Sequence, residues 1–549
     1  MLQVILKKIS NYYESGNRWW LPIVSGLLFS LSLPPFNNML HPVFSPFPLL
    51  VFVALVPFFF FATRKPRKRA LIHSYIYCVF MAFGQYYWIG FVTAEGLWAL
   101  ILVGVLLISM AVGVFYFAAA VLFRLTRRFL PRLYILVFPA VWVLVEYSRT
   151  VSDISFPWSL LGYSTVGILP LAQFSAFTGV WGLSFLIVLA NILLWELLLS
   201  LRLKENVQQK WIHCCVLGAL VVGIMGWGIF RMDKDLHSEG EMKVSLLQSH
   251  MDQFNWARNS IDTAFTVSEQ MVDEAAVEEP DLMIFPESAL LCYLDRRVRY
   301  RREVISWVKK TGIPLIAGGL HWDKAPEDSP YEYDVYNSAF LVKPHGLESY
   351  HKVMLVPFSE RMPFEAQFPI LSRVNLGEAD FKSGKEESVF DIGKDIHAAP
   401  YICYEIIYPS FVQRRLDEST NLLINVTNDG WFGRTSGPYQ HAAMAQMRSI
   451  ENGISLARSA NSGISMTVDP FGRILSRSGL YERAILTGKV PRARIHTFYS
   501  QHGDWFITVC AVLVLIGALV AIIFRKKPDG VITRPLLVEE QKLAPNQLG

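Results

Sequence analysis

The stretch Trp505–Phe524, WFITVCAVLVLIGALVAIIF, carries no charge and runs straight into Arg525, Lys526 and Lys527. As an α-helix, about 20 such residues match the hydrocarbon core of a bilayer. A soluble protein has no place for a helix that is apolar all round and this long, so the chain is expected to span a membrane. Trp211–Phe230, WIHCCVLGALVVGIMGWGIF, reads the same way. Working outward, Leu71–Ala94, Leu97–Phe123 and Gln173–Leu201 are also long enough, and Trp19–Leu33, Phe47–Ala62 and Leu133–Glu146 are shorter or edged by proline. The short three are either spans or re-entrant segments. All eight are taken as spans. Trp19–Leu33 follows Lys7, Lys8 and Arg18 like a signal peptide, but Pro34, Pro35 and Phe36 come next rather than a small-residue cleavage site, so it is read as retained.

Composition agrees. Of 549 residues, 52% are hydrophobic and only 18% charged, too little polar material to coat a soluble globule and too apolar for a disordered chain. Lys and Arg number 51 against 46 Asp and Glu, an excess too small to imply nucleic acid. The cysteines Cys78, Cys214, Cys215, Cys292, Cys403 and Cys510 contain no CxxC pair and no disulfide framework, and no His cluster suggests a metal.

The basic residues set orientation. Arg64 to Arg69, Arg124 to Arg132, Arg202 to Lys210 and Arg525 to Lys527 follow every second span, while the intervening loops hold few basic residues. Eight spans with both termini inside satisfy this alternation. Residues 231–503 then lie on the outer side, the periplasm for a bacterial inner membrane. The expected organisation is a seven-span membrane domain (1–230), a periplasmic domain (231–503), an eighth span (504–525) and a polar cytoplasmic tail (526–549).

Between the last two spans the composition becomes that of an α/β globule. Strand-like runs (Lys243–Gln248, Leu282–Glu287, Pro314–Gly319, Asn337–Val342, Tyr401–Glu405, Leu422–Asn428, Ile454–Arg458, Ile464–Val468) alternate with helical patterns at Ile261–Glu278, Arg297–Thr311 and Gln440–Glu451. Several runs end in a reactive side chain, where scaffolds display catalytic groups: Glu287, Cys403 with Tyr404 and Glu405, and Asn428 with Asp429. Each of these is otherwise a polar residue that ends a strand. Cys292 and Cys403 are the two cysteines of this region; they are either a disulfide or, for Cys403, a nucleophile activated by a cation such as Lys352 and a base such as Glu287.

Phe285-Pro286-Glu287-Ser288, His351-Lys352-Val353 with Leu355 to Glu360, Ile402-Cys403-Tyr404-Glu405 and Asn428-Asp429-Gly430-Trp431-Phe432-Gly433 together resemble the nitrilase superfamily and, within it, the apolipoprotein N-acyltransferases. The Trp256 segment, Val141-Trp142 through Glu146 and Phe156-Pro157-Trp158 through Tyr163 are similar too. Ser359 departs from a usual glycine and Gly430 from a usual alanine. The resemblance implies a multi-span α-helical membrane domain plus a nitrilase-like α/β domain built as an α-β-β-α sandwich. It implies acyl transfer from a membrane phospholipid to the α-amine of an apolipoprotein's diacylglyceryl-cysteine, with no cofactor or metal. Glu287 would be the general base, Cys403 the nucleophile, and Lys352 with the Tyr404 N–H the oxyanion donors. Glu360 and Glu405 would orient Lys352 and the Cys403 loop or handle protons. Trp256, Trp431 and Asn428 would line the substrate path, or the tryptophans would be core aromatics. His441 reads as structural; Glu146 and Trp158 are weaker candidates for lipid contact. Three alternatives remain: a membrane-tethered amidase or nitrilase-type hydrolase, a Cys–His hydrolase using His351 or His441, and a non-catalytic lipoprotein-binding scaffold or transporter.

Overall fold

A computed structural model of the chain describes residues 20–35, 47–63, 70–91, 98–236, 240–251, 261–290, 292–327, 332–365, 367–368, 370–371, 381–385 and 388–524. Apolar helices lie at each run singled out above: α1 (Leu21–Ser32), α2 (Val56–Ala62), α3 (Ala70–Tyr86), α4 (Trp98–Phe129), α5 (Tyr134–Ser148), α6 (Val180–Leu203), α7 (Val207–Met232) and, after the α/β region, a last helix Trp505–Ile523. Among the described residues, four are long and apolar enough to cross a membrane: Leu102–Phe129 within α4, α6, α7 and Trp505–Ile523. The windows of α7 and Trp505–Ile523 are only 11% buried, so Val216, Val222, Ile229, Leu515 and Ile522 project outward from the protein, as lipid-facing side chains do.

Two of the apolar runs are interrupted. Around Phe47–Ala62 the helix breaks at Leu55, just before Val56 and Pro57; buried Asn191 closes the gap, accepting from Leu55 N at 2.8 Å and donating to Val51 O at 2.8 Å. Gln173–Leu201 is not one helix. Short turns end at Gly179, whose φ of 66° starts α6, and a Cβ there would stand 2.6 Å from the Tyr499 ring. Phe58, Phe59, Phe123, Phe138, Trp142 and Trp195 interlock at the centre of the helical domain, edge to face except for the tilted Phe59–Phe123 pair.

The α/β region holds two six-stranded sheets. One runs β12-β1-β2-β3-β4-β5 and the other β11-β10-β9-β8-β7-β6. The strands are β1 Glu241–Gln248, β2 Leu282–Ile284, β3 Leu315–Lys324, β4 Tyr333–Lys343, β5 Gly346–His351, β6 Phe390–Gly393, β7 Ile396–Ile402, β8 Leu422–Thr427, β9 Ser455–Ala460, β10 Met466–Val468, β11 Ile474–Arg477 and β12 Ala484–Pro491. The centre of each sheet is parallel (β1-β2-β3 and β7-β8-β9), and the flanking pairs are antiparallel. The sheets close face to face on Val244, Leu246, Ile284, Ile316 and Leu341 from one and Ile402, Leu422, Ile424, Val426 and Ala457 from the other.

Helices α8 (Ile261–Ala276) and α9 (Val298–Thr311) cover the first sheet. The stripe Ala264, Phe265, Ser268, Met271, Val272, Ala275 seats α8, and Val304, Trp307 and Val308 seat α9 before Gly312 ends it at φ 73°. Helix α10 (Gly437–Asn452) covers the second sheet and is buried at every position except Tyr439. It carries Gln440, His441, Gln446, Arg448 and Glu451 inward because the helical domain packs on its far side, so no face of it meets water. The result is an α-β-β-α sandwich with one helical layer pressed against the apolar helices.

Candidate functional site

Four strand ends from the two sheets meet at one edge of the sandwich. Glu287 lies just beyond β2, Lys352 beyond β5, Cys403 beyond β7 and Asn428 beyond β8. The strand expected over Tyr401–Glu405 stops at Ile402. Cys403 has a φ of 49° and opens a 3₁₀ turn to Ile407, which lifts the thiol out of the sheet.

Lys352 is buried, with Nζ 2.7 Å from Glu360 Oε1 and 3.6 Å from Glu287 Oε1. Asn337, at the matching edge of β4, donates through Nδ2 to Glu287 Oε1 at 2.7 Å and to Glu360 Oε1 at 3.3 Å. The backbone N–H of Asn428 donates to Glu287 Oε2 at 2.9 Å, and that of Val356 to Glu360 Oε2 at 2.8 Å. Both carboxylates are therefore fixed.

Cys403 joins the same cluster: burial first, and then the Glu287 charge, push its thiol up, while Lys352 and a Thr427 hydrogen bond pull it down. The resting sulfur is thus a thiol that needs a base. Burial raises Glu287 above the usual carboxylate range, with Lys352 opposing and Glu360 reinforcing, as suits a proton acceptor. Burial disfavours the Lys352 ammonium, but the Glu360 and Glu287 carboxylates more than offset it and hold the proton on.

Glu405 is fully buried and ties the two loops together. Its Oε1 accepts from Tyr350 Oη at 2.7 Å, Val353 N at 2.7 Å and Met354 N at 3.2 Å; its Oε2 accepts from Ile402 N at 2.7 Å. Tyr404 points away from the cluster towards the helical domain, where its hydroxyl donates to Ser155 O at 2.7 Å and its ring stacks on Phe156. Asn428 uses its side chain locally, accepting from Gly430 N at 3.2 Å. Trp431 is partly exposed on the turn after it, and Trp256 lies outside the described residues. In the loop after Lys352 the left-handed step is taken by Phe358 (φ 67°), one residue ahead of Ser359.

The two histidines weighed as bases do other things. His351 Nδ1 meets Ser338 Oγ at 2.8 Å and its ring stacks on His321. His441 Nδ1 lies 2.8 Å from Asp429 Oδ1, and its Nε2 lies 3.2 Å from the Cys403 carbonyl oxygen rather than serving the thiol. Arg458 and His441 hold the Asp429 carboxyl down at about 2 against the cost of burial. Cys292 and Cys403 are both free thiols. Glu146 accepts from Trp142 Nε1 at 3.1 Å and Leu161 N at 3.0 Å inside the helical domain, and Trp158 Nε1 donates to Gln440 Oε1 at 2.8 Å. Sequence reading missed Asn337, whose place in an ordinary strand gives no signal. It also missed Asp153, which binds Arg361 and the Phe364 N–H and so anchors the loop after Lys352 to the helical domain.

The apolipoprotein N-acyltransferase N-terminal domain family matches residues 25–193, and the carbon-nitrogen hydrolase family matches 243–499. An apolipoprotein N-acyltransferase of Geobacter metallireducens is 32% identical over 92% of this chain and 95% of its own length. One from Chlorobaculum tepidum is 28% identical over 92% and 97%. Among solved structures, an amidase of the nitrilase superfamily from Nesterenkonia AN1 aligns at TM-score 0.35 and 19% identity, covering 49% of this chain and 96% of that one. The Geobacter relative matches along nearly its whole length, through the apolar helices and the sandwich together, and the chain accordingly belongs to the apolipoprotein N-acyltransferase family.

Proposed function

We propose that the chain transfers a fatty acyl group from a membrane phospholipid to the α-amine of an apolipoprotein's diacylglyceryl-cysteine, at the periplasmic face of a bacterial inner membrane. The observation that carries this reading is the place of the thiol. The Cys403 turn is hydrogen-bonded to the loop between α5 and α6 through Tyr404, so the thiol is held beside the domain whose apolar helices suit it to lipid.

In the first half-reaction Cys403 Sγ attacks the ester carbonyl while Glu287 takes the thiol proton. Lys352 and the Tyr404 N–H hold the oxyanion. The tetrahedral adduct collapses, the C–O bond breaks, and the departing lysophospholipid alkoxide recovers the proton from Glu287. This leaves an acyl thioester. In the second half-reaction the neutral amine attacks, Glu287 takes a proton from nitrogen, the C–S bond breaks, and the thiolate is reprotonated. Glu360 and Glu405 hold the geometry; Trp431 borders the substrate path, with Asn428 fixing the turn that presents it.

Exposed Phe358, Phe364, Phe368 and Ile370 on the loop after Lys352 support an apolar approach for acyl chains. Eight spans with residues 231–503 outside remain the topology that the basic loops favour. Incubation with phospholipid and no acceptor, followed by peptide mass mapping, tests the reading: a hydroxylamine-sensitive acyl group on Cys403 supports it, and an adduct confined to Cys292 or none at all refutes it. A membrane-tethered amidase would instead release free acid or ammonia without an amine acceptor.

A further inference from the structure

We propose that His441 is a positioning residue that aims the Tyr404 N–H at the reaction's oxyanion by holding the carbonyl of Cys403. The two groups belong to one peptide unit, which is planar, with its C=O and N–H pointing opposite ways. Fixing the oxygen therefore fixes the direction of the hydrogen. His441 Nε2 lies 3.2 Å from Cys403 O. Tyr404 N stands in the first turn of the 3₁₀ segment Cys403–Ile407, where a backbone donor has no partner within its own turn. A hydrogen bond received at the carbonyl also polarises the peptide and strengthens its N–H as a donor. The peptide needs such a restraint, because Cys403 sits at φ 49°, a left-handed conformation that is strained for a residue with a Cβ.

The ring is itself immobilised. Asp429 Oδ1 lies 2.8 Å from Nδ1, Arg458 Nη2 lies 2.6 Å from Asp429 Oδ2 and 3.2 Å from Nδ1, and all three side chains are buried. The Trp158 ring lies 5.5 Å away, centroid to centroid, on a loop of the helical domain that also bonds the neighbouring Gln440. Burial and then the Arg458 charge lower His441 from its ordinary value, and the Asp429 carboxylate and the Cys403 carbonyl oppose them. With a proton on each nitrogen the ring donates from Nδ1 to the Asp429 carboxylate and from Nε2 to Cys403 O. In that state Nε2 has no lone pair with which to deprotonate the thiol, which separates this role from that of a base.

The inference rests on the reading of Cys403 as nucleophile, and the test separates the two. Acyl-adduct formation from phospholipid alone is compared with alkylation of the same thiol by iodoacetamide, which needs thiolate but develops no oxyanion. His441→Leu is expected to slow acylation about a hundredfold at unchanged KM for phospholipid, with alkylation within about twofold of wild type. His441→Gln, whose amide N–H reaches towards the same carbonyl, is expected to restore acylation to within about tenfold of wild type. His441→Asn, which keeps the Asp429 contact but stops short of the carbonyl, gives the Leu result and serves if the Leu variant does not fold. A parallel loss of alkylation, wild-type acylation in the Asn variant, or Gln as slow as Asn overturns the proposal. A wild-type adduct on a residue other than Cys403 overturns the nucleophile reading itself, before any variant is made.

Discussion

Lys352 lies closer to Glu360 than to Glu287, at 2.7 Å against 3.6 Å, so the ammonium is shared unequally between two carboxylates that Asn337 bridges. Glu360 takes up much of the positive charge and leaves Glu287 basic. The Glu360 charge is one of the causes that raise Glu287, after burial and against Lys352. Glu360→Gln removes it, so Glu287 becomes more acidic and a weaker base. Thioester formation is expected to slow about tenfold or more, with the acid limb of its pH profile displaced to lower pH. An acid limb that stays put in this variant would show the two carboxylates to be uncoupled.

The wild-type profile has a definite sign. Glu287 must be ionised to accept the thiol proton, and its proton is held above the ordinary value of 4.5. Rates of the first half-reaction should therefore fall as pH drops through a midpoint above the usual carboxylate range. Loss of the Lys352 proton sets no limit near neutrality, because that pKa is raised from 10.5. Stopped-time acylation of Cys403 between acidic and neutral pH measures the midpoint directly; a midpoint at or below the ordinary value contradicts the assignment of Glu287.

Glu405 joins the loop that follows Lys352 to the turn that carries Cys403, through four acceptor bonds. Glu405→Ala leaves three backbone donors and a tyrosine hydroxyl without their buried partner, each costing about 1–3 kcal/mol if water does not enter. The expected outcome is a lowered melting temperature and a fall in kcat of about tenfold or more, with KM for phospholipid nearly unchanged. A rise in KM at constant kcat would instead assign Glu405 to substrate binding.

Much of this was legible in the residues. The apolar runs marked the helices because length and lack of charge are one-dimensional properties, and the strand ends marked Glu287, Cys403 and Asn428. Glu405 was legible only as a candidate, since its four partners come from loops about 50 residues apart. Asn337 and Asp153 left no trace: each acts through a contact that the fold creates between distant segments. The breaks at Leu55 and Gly179 were missed for a related reason, as Asn191 and Tyr499 that explain them are remote in sequence. Helix α10 was legible in part. The sequence marked it only as a helical pattern with a structural His441, and its enclosure between the second sheet and the helical domain is a tertiary fact.

Asp153 controls the loop bearing Phe358 and Phe364. It accepts from Arg361 Nη2 at 3.3 Å and from the Phe364 N–H at 2.9 Å. The pair is partly exposed, so Asp153→Ala should cost less than about 1 kcal/mol of stability. Its effect is expected in catalysis, as a several-fold rise in KM for the lipid-bearing substrates with kcat little changed. The backbone bond from Phe364 and the Arg361 charge keep Asp153 ionised below its ordinary value, so this contact persists to mildly acidic pH. Limited proteolysis within residues 358–371 reads the loosening independently; equal cleavage in wild type and variant would refute the tether.

Cys292 provides the internal control for the nucleophile. It is buried on the α8–α9 side of the first sheet, among Leu290, Leu294 and Trp307, and burial pushes its thiol up to about 12. The Cys403 thiol is raised too, so resting ionisation does not distinguish them. What distinguishes them is the fixed carboxylate base and ammonium beside Cys403, whereas Cys292 sits in an apolar cluster and the Asp295 and Glu303 charges near it only raise its thiol further. Cys292→Ala should keep acyl transfer within about twofold and lose roughly 1 kcal/mol of stability. Glu287→Gln should leave the fold intact yet suppress both acylation and iodoacetamide labelling of Cys403, since the proton then has no acceptor. Peptide mapping of the labelled protein decides: labelling of Cys403 that survives Glu287→Gln would mean that the base lies elsewhere.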